Sequence, residues 1–388
     1  MSLGALLLAL SFSRLSRSIP RAGGPYAYTR EAFGDFAGFL VAWGYWIAIF
    51  VGNAAIAVGF VGYTAFFFPS LSAHPPLAVA VALAAIWLLT WTNALGVREA
   101  GFVQLVTTVL KLLPLAAVGL LGILYLDPSH FRPFNLAGGS AMGAVRATAT
   151  LTLWAFIGLE SATVPAENVK DPERTIPRAT VAGTLATALI YMVSTAAVLG
   201  IVPPEALAVS TAPFAEAAAI VWGPWASRVV AAGAAISAFG ALNGWILLQG
   251  QVPLAAARDG LFPERFARLS PRGTPLFGLV VSSVLVTLLM AMNYTRGLVE
   301  QYTLIILLAT LTTLVPYVFS TAAEGMLILR RRIVGEPLPL GRVLLLALAF
   351  IYALWAVAGS GAETVYWGFL LLLAGLPVYV LIRGGDAA

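Results

Sequence analysis

The chain has 388 residues, of which 60% are hydrophobic and 10% charged, with a formal net charge of +5. Soluble domains carry about 25% charged residues, so this composition belongs to an all-α integral membrane protein that crosses the bilayer many times. There is no cysteine for a disulfide or thiolate metal site, and the two histidines, His74 and His130, fall in predicted loops, which argues against a metal centre.

The chain opens with "MSLGALLLALSF" at 1–12, an apolar run that reaches Arg14 and Arg17 after about a dozen residues. A hydrocarbon layer about 30 Å thick needs about 20 apolar residues per helix, so this run is too short to span. A secretory signal would carry its positive charge before the apolar run, not after it. The chain is therefore expected to begin inside a helix, with sequence missing upstream. A thinned or re-entrant first helix is the alternative.

Ten stretches that span or nearly span follow, at 36–67, 76–96, 102–126, 144–165, 179–202, 225–250, 276–292, 302–327, 342–360 and 363–383. The first carries Asn53 beside Gly52, a residue pair suited to a hydrogen bond between helices. The third carries Lys111, about ten residues from either end. Such a lysine either snorkels over an unusual length or serves a function.

The stretch "LWAFIGLESATVPAENV" at 153–169 places Glu160 inside an apolar segment, between Gly158 and Pro165. Glycine lowers the cost of leaving helical geometry and proline removes a backbone donor. A break within 156–161 is predicted. Broken backbone at membrane depth is tolerated only against a protein cavity, and broken helices build the substrate sites of secondary transporters. Glu160 is then expected to face that cavity, although a purely structural, hydrogen-bonded carboxyl is the plainer reading. Trp154 and Trp245 lie within spans, where packing and substrate contact are both open readings. Glu324, near Arg330–Arg332, is expected at the interface.

Basic residues fall in alternate loops: Arg14, Arg17, Arg21 and Arg30; Arg98; Lys170, Arg174 and Arg178; Arg258, Arg265, Arg268 and Arg272; Arg330–Arg332 and Arg342; and Arg383. The positive-inside rule then puts the C-terminus in the cytoplasm, in a multi-pass protein of the cytoplasmic (inner) membrane. No phosphate loop or nucleic-acid module is visible: "AGG" at 22–24 and "GG" at 138–139 lack the strand-to-helix context. An enzyme would need a nucleophile–base pair or metal cluster within the spans, and none is apparent.

Four motifs resemble the amino acid–polyamine–organocation superfamily: "AGGPYAYTREAFGDFAGFLVAWGYWIAIFVGNAA" at 22–55, "LWAFIGLESATVPAENVKDPERTIPRAT" at 153–180, "GQVPLAAARDGLFPERFARLSPRGTP" at 250–275 and "TTLVPYVFSTAA" at 312–323. Within it the chain is most similar to the basic amino acid/polyamine antiporter branch, which includes the arginine/agmatine antiporter. The resemblance implies a single polytopic domain with a leucine-transporter-like five-plus-five inverted repeat, and here it implies loss of family helix 1 and part of helix 2. It implies sodium-independent transport of an amino acid or its amine, by exchange or proton coupling, with no cofactor, and it leaves a homodimer open. An inactive fragment of such a transporter is the competing reading.

Carried over by position, Trp154 and Ile157 belong to the substrate pocket, with Asn53, Ala48, Ile49 and Ile56 on the third family helix and Trp245 in the wall. Ala309 stands where the arginine/agmatine type has a serine. Tyr45, Glu160 and Tyr317 match an inner gate. Lys111 stands where that type has a small residue. In other branches a lysine there takes the place of a sodium ion, and its protonation cycle is proposed to couple transport to protons.

Overall fold

The computed structural model describes residues 1–132, 135, 140–210, 212–293, 298–333, 339–359 and 361–385. In chain order the helices are α1 Ser2–Ser18, α2 Pro25–Phe33, α3 Asp35–Ala65, the one-turn α4 Ser70–Ala73, α5 Pro75–Leu95 and α6 Val97–Gly122. Then come α7 Ala141–Leu153, α8 Pro172–Ile201, α9 Pro204–Leu207, α10 Pro213–Trp222 and α11 Pro224–Arg258. The chain finishes with α12 Leu276–Asn293, α13 Leu298–Ile333, α14 Leu340–Gly359, α15 Ala362–Leu373 and α16 Leu376–Gly385. Among the described residues eight helices are long and apolar enough to cross a membrane. The protein is thus an all-α, multi-pass membrane protein.

Two expected spans differ in detail. The stretch 363–383 is divided into α15 and α16 by a turn at Ala374–Gly375. The stretch 144–165 is not one helix: α7 stops at Leu153 and irregular backbone follows. Prolines open α2, α5, α8, α10 and α11 at their first turns, where the missing N–H costs no helical hydrogen bond.

Helix α3 is the axis of the bundle, with α11 and α13 packed along it. A buried polar ladder fixes this block. Trp46 Nε1 donates to Ser282 Oγ at 2.7 Å, and Asn53 Nδ2 donates to Gln249 Oε1 at 2.7 Å. Gln249 Nε2 donates in turn to Ser283 Oγ at 2.8 Å, and Ser283 shares a hydrogen bond of 2.7 Å with Thr90. The chain of contacts joins α3, α11, α12 and α5. Side chain-to-side chain bonds are needed here because apolar faces gain little from one another in lipid. The α6–α11 contact uses small residues for the same reason. Gly233, Gly240 and Gly244 face Pro114, Thr107 and Gln104 so closely that a Cβ at any of them would collide.

Helix α1 is short, as expected, yet its apolar face needs no full span to be buried. Ala5, Leu8, Ala9, Phe12 and Leu15 lie against protein, and the helix packs on α8, α13 and α14. Glu324, expected at the interface near Arg330–Arg332, takes its partners from elsewhere in the chain. It is buried at 2% exposure on α13, where Arg14 donates to both its oxygens and Ser11 Oγ donates to Oε2 at 2.6 Å. Arg342 stands 3.6 Å from Oε1. The neighbouring Arg330 is turned instead to the carbonyls of Glu31 and Ala32 at the end of α2.

Helix α2 is tied down by a second polar group. Tyr26 donates to Asp259 Oδ2 at 2.7 Å, and Arg30 reaches both Asp259 and Asp35 at 2.8 Å. Burial, and then the bond to Asp259, push the Tyr26 phenol above its ordinary range, so it stays a neutral donor. Arg383 bonds Asp35 and so attaches the end of α16 to the start of α3.

Candidate functional site

The chain leaves helical geometry earlier than predicted. After α7 the backbone forms a 3₁₀ turn at Trp154–Phe156, passes through Gly158 at φ +106°, and makes further 3₁₀ turns at Ser161–Thr163 and Ala166–Asn168. No α-helix resumes before Pro172. The predicted break within 156–161 thus becomes an irregular segment from 154 onward. Local side chains help to close it: Ser161 Oγ donates to the Gly158 carbonyl at 2.5 Å and Thr163 Oγ1 to the Glu160 carbonyl at 2.6 Å.

Gly158 is required at its position. Its φ is one that L side chains rarely adopt, and a Cβ there would sit 3.1 Å from Trp245 Cζ2. Gly158→Ala is expected to cost about 1–3 kcal/mol of stability from the backbone conformation alone. It should also displace the Trp245 indole. Thermal unfolding of the purified protein in detergent, with tryptophan fluorescence followed alongside, measures both effects. Wild-type stability and fluorescence in this variant would contradict the geometry.

Beside this segment lies a cavity of about 1130 Å³. Six of the pocket residues expected from the sequence line it: Trp154, Ile157, Trp245, Ala48, Ile56 and Ala309. Two others do not. Ile49 is fully buried in a separate apolar cluster with Tyr26, Phe39, Tyr45 and Trp46. Asn53 is also fully buried: its Nδ2 donates to Gln249 across the α3–α11 contact, and its Oδ1 has no hydrogen-bond partner among the described residues. Its role as a helix-to-helix hydrogen bond, the plainer of the two sequence readings, is the one that its contacts display.

Glu160 does not face the cavity either. It is fully buried next to it. Tyr45 Oη donates to Oε1 at 2.7 Å, Tyr317 Oη donates to Oε2, and the Gly158 N–H donates to Oε2 at 3.2 Å. Three donors from α3, α13 and the irregular segment therefore converge on one carboxylate. Phe12 of α1 packs edge-on against the Tyr317 ring at 5.4 Å. Lys111 lies on α6 one turn before Leu115, a lining residue, but its side chain is outside the described residues.

The cavity also has walls that sequence reasoning missed. Thr313 lies one turn from Ala309 on α13, and that i, i+4 spacing could have identified it. Phe156 meets Tyr191 of α8 edge-on at 5.5 Å, a pairing 35 positions apart that no local pattern reveals. Met1, Ser2 and Leu3 of α1 contribute as well. Among the described residues no group of three or more acidic, histidine or cysteine side chains could hold a metal ion.

The chain as a whole has relatives among known proteins. Residues 1–381 match the amino acid permease family. The putrescine transporter PotE of Haemophilus influenzae is 30% identical over 383 residues, covering 97% of this chain and 87% of that protein. Its namesake in Escherichia coli K12 is 30% identical over 393 residues, covering 98% and 87%. The cadaverine/lysine antiporter of the same strain is 34% identical over 327 residues, covering 82% and 72%. A crystal structure of the manganese transporter of Eremococcus coleocola, in complex with an aromatic bis-isothiourea substituted compound, has a similar fold with a TM-score of 0.59 at 15% identity. It covers 98% of this chain and 86% of that one.

With a family match from the first residue to 381 and relatives at 30% and 34% identity over most of their length, the chain belongs to the amino acid permease family.

Proposed function

We propose that this protein carries an amino acid or its amine across the cytoplasmic membrane, by exchange or proton coupling and without sodium, with its C-terminus in the cytoplasm. The observation that carries this reading is the cavity set against the end of α7. A helix terminus leaves its last carbonyls without helical donors and bears about half a negative charge. Here that pole falls where Thr152 and Trp154 to Ile157 line the cavity, with the Thr152 carbonyl accepting from the Trp154 N–H and the Trp154 carbonyl from the Ile157 N–H. It suits a substrate ammonium group, while Trp154 and Trp245 supply faces for an aliphatic or aromatic body. The names of the relatives, transporters of putrescine and of cadaverine and lysine, support an amine-bearing cargo.

The carboxylate of Glu160, bonded to Tyr45 and Tyr317, supports an inner gate: it joins α3, the irregular segment and α13 beside the cavity. The basic loops support the orientation. The test is uptake of labelled amino acids by proteoliposomes holding the 388-residue chain, with internal substrate or a proton gradient, in sodium and in potassium buffers. Uptake that strictly needs sodium would refute the coupling, and no uptake of any amino acid or amine would refute the transport reading.

Lys111 supports sodium independence as a fixed cation at mid-span. Lys111→Ala is expected to alter the pH dependence of uptake more than the substrate preference, because the lining aromatics are untouched. Uptake measured against pH and substrate concentration separates the two. An unchanged pH profile would remove Lys111 from the coupling.

A further inference from the structure

The relatives' printed cargoes carry a second positive charge: putrescine and cadaverine are diamines, and lysine has a side-chain ammonium. The acidic residues of this chain leave that second charge without a partner. Of its 17 acidic residues, Glu160 and Glu324 are the ones that fall within the membrane-crossing stretches beyond the first helical turn. Both are fully engaged elsewhere. Glu160 accepts from Tyr45, Tyr317 and the Gly158 N–H. Glu324 is held by Arg14, Ser11 and Arg342. Neither lines the cavity, and none of its described lining side chains is charged. Around the irregular segment the wall is Trp154, Phe156, Ile157, Trp245, Ile56 and Ala309, and its polar groups are neutral hydroxyls such as those of Tyr191, Ser237 and Thr313.

We infer that the cavity selects an α-amino acid with an uncharged apolar or aromatic side chain, and discriminates against diamines and lysine. The inference rests on the transport reading above. The end of α7 offers one negative pole, enough for one ammonium. A second ammonium would meet aromatic and aliphatic carbon and neutral hydroxyls, with no counter-charge to offset its desolvation. A cation–π contact with either tryptophan recovers only part of that cost. The uncharged side chain of phenylalanine or leucine instead gains from burial in the same place.

Ala309 is the position at which this selectivity can be reversed. It lies on the cavity wall at 2% exposure, one turn from Thr313. An acid placed there would supply the missing counter-charge.

The experiment is competition and direct uptake in proteoliposomes of the full chain, with labelled phenylalanine, leucine, lysine and putrescine. In the wild type, phenylalanine or leucine should be taken up. Lysine and putrescine should compete roughly a hundredfold more weakly, the penalty of an unpaired charge at membrane depth expressed as a ratio of affinities. Ala309→Asp should narrow or invert that ratio. If that variant does not fold, Thr313→Asp tests the same wall. Equal or better uptake of lysine or putrescine by the wild type would overturn the inference and leave the transport reading standing. Binding by thermal stabilisation is measured in parallel. If none of the four compounds is moved or stabilises the protein, this inference fails, while the transport reading is decided separately by uptake across the wider set of amino acids and amines.

Discussion

Glu160→Ala is expected to abolish transport and to destabilise the protein. The substitution removes the one acceptor shared by Tyr45, Tyr317 and the Gly158 N–H. Both hydroxyls are fully buried, so water cannot replace the lost partner. Each orphaned hydroxyl costs about 1–3 kcal/mol, and the two residues sit on different helices, so α3 and α13 lose their common tie to the irregular segment. Glu160→Gln keeps an acceptor and a similar shape. It should retain most of the stability while removing any role that depends on the acid. Thermal unfolding in detergent together with uptake in vesicles separates these effects. Stability of Glu160→Ala equal to wild type would show that the three donors are satisfied without it.

Glu324→Ala is expected to destabilise by about 2–4 kcal/mol, the range for breaking a buried ion pair less a discount for water at the guanidiniums. Arg14 and Arg342 would then face each other without the carboxylate that holds both. Their side chains keep 21% and 34% exposure, which sets the discount. Arg14→Ala should cost less, because Arg342 and Ser11 still serve Glu324. Denaturation of the two single variants, measured side by side, gives the order. A larger loss in Arg14→Ala than in Glu324→Ala would contradict this account.

The parts of the molecule that were legible beforehand are those set by local pattern. Long apolar runs required helices, and the Gly158–Glu160–Pro165 spacing announced a break. The break runs further than predicted because Ser161 and Thr163 bond back to the backbone, a local competition that apolar periodicity does not register. What stayed hidden depends on partners far along the chain. The partners of Glu324 stayed hidden because the arginines near it in sequence are not the arginines bonded to it: Arg14 is 310 positions away. Asn53 was assigned to the pocket by likeness to the family, but Gln249, 196 positions on, claims its amide. A buried polar residue declares its need for a partner without declaring where the partner is.

The interval between Tyr317 and Glu324 on α13 is seven residues, two turns, which places them on one face about 10.5 Å apart along the axis. Helix α1 meets the same face at both heights, with Phe12 against Tyr317 and Ser11 and Arg14 at Glu324. The two helices are therefore clasped like a hinge leaf held by two pins. Sliding or rolling α13 against α1 strains both pins at once, whereas tilting about either one loads only the other. Any movement of α13 that parts Tyr317 from Glu160 must carry α1 with it or pull Arg14 from Glu324.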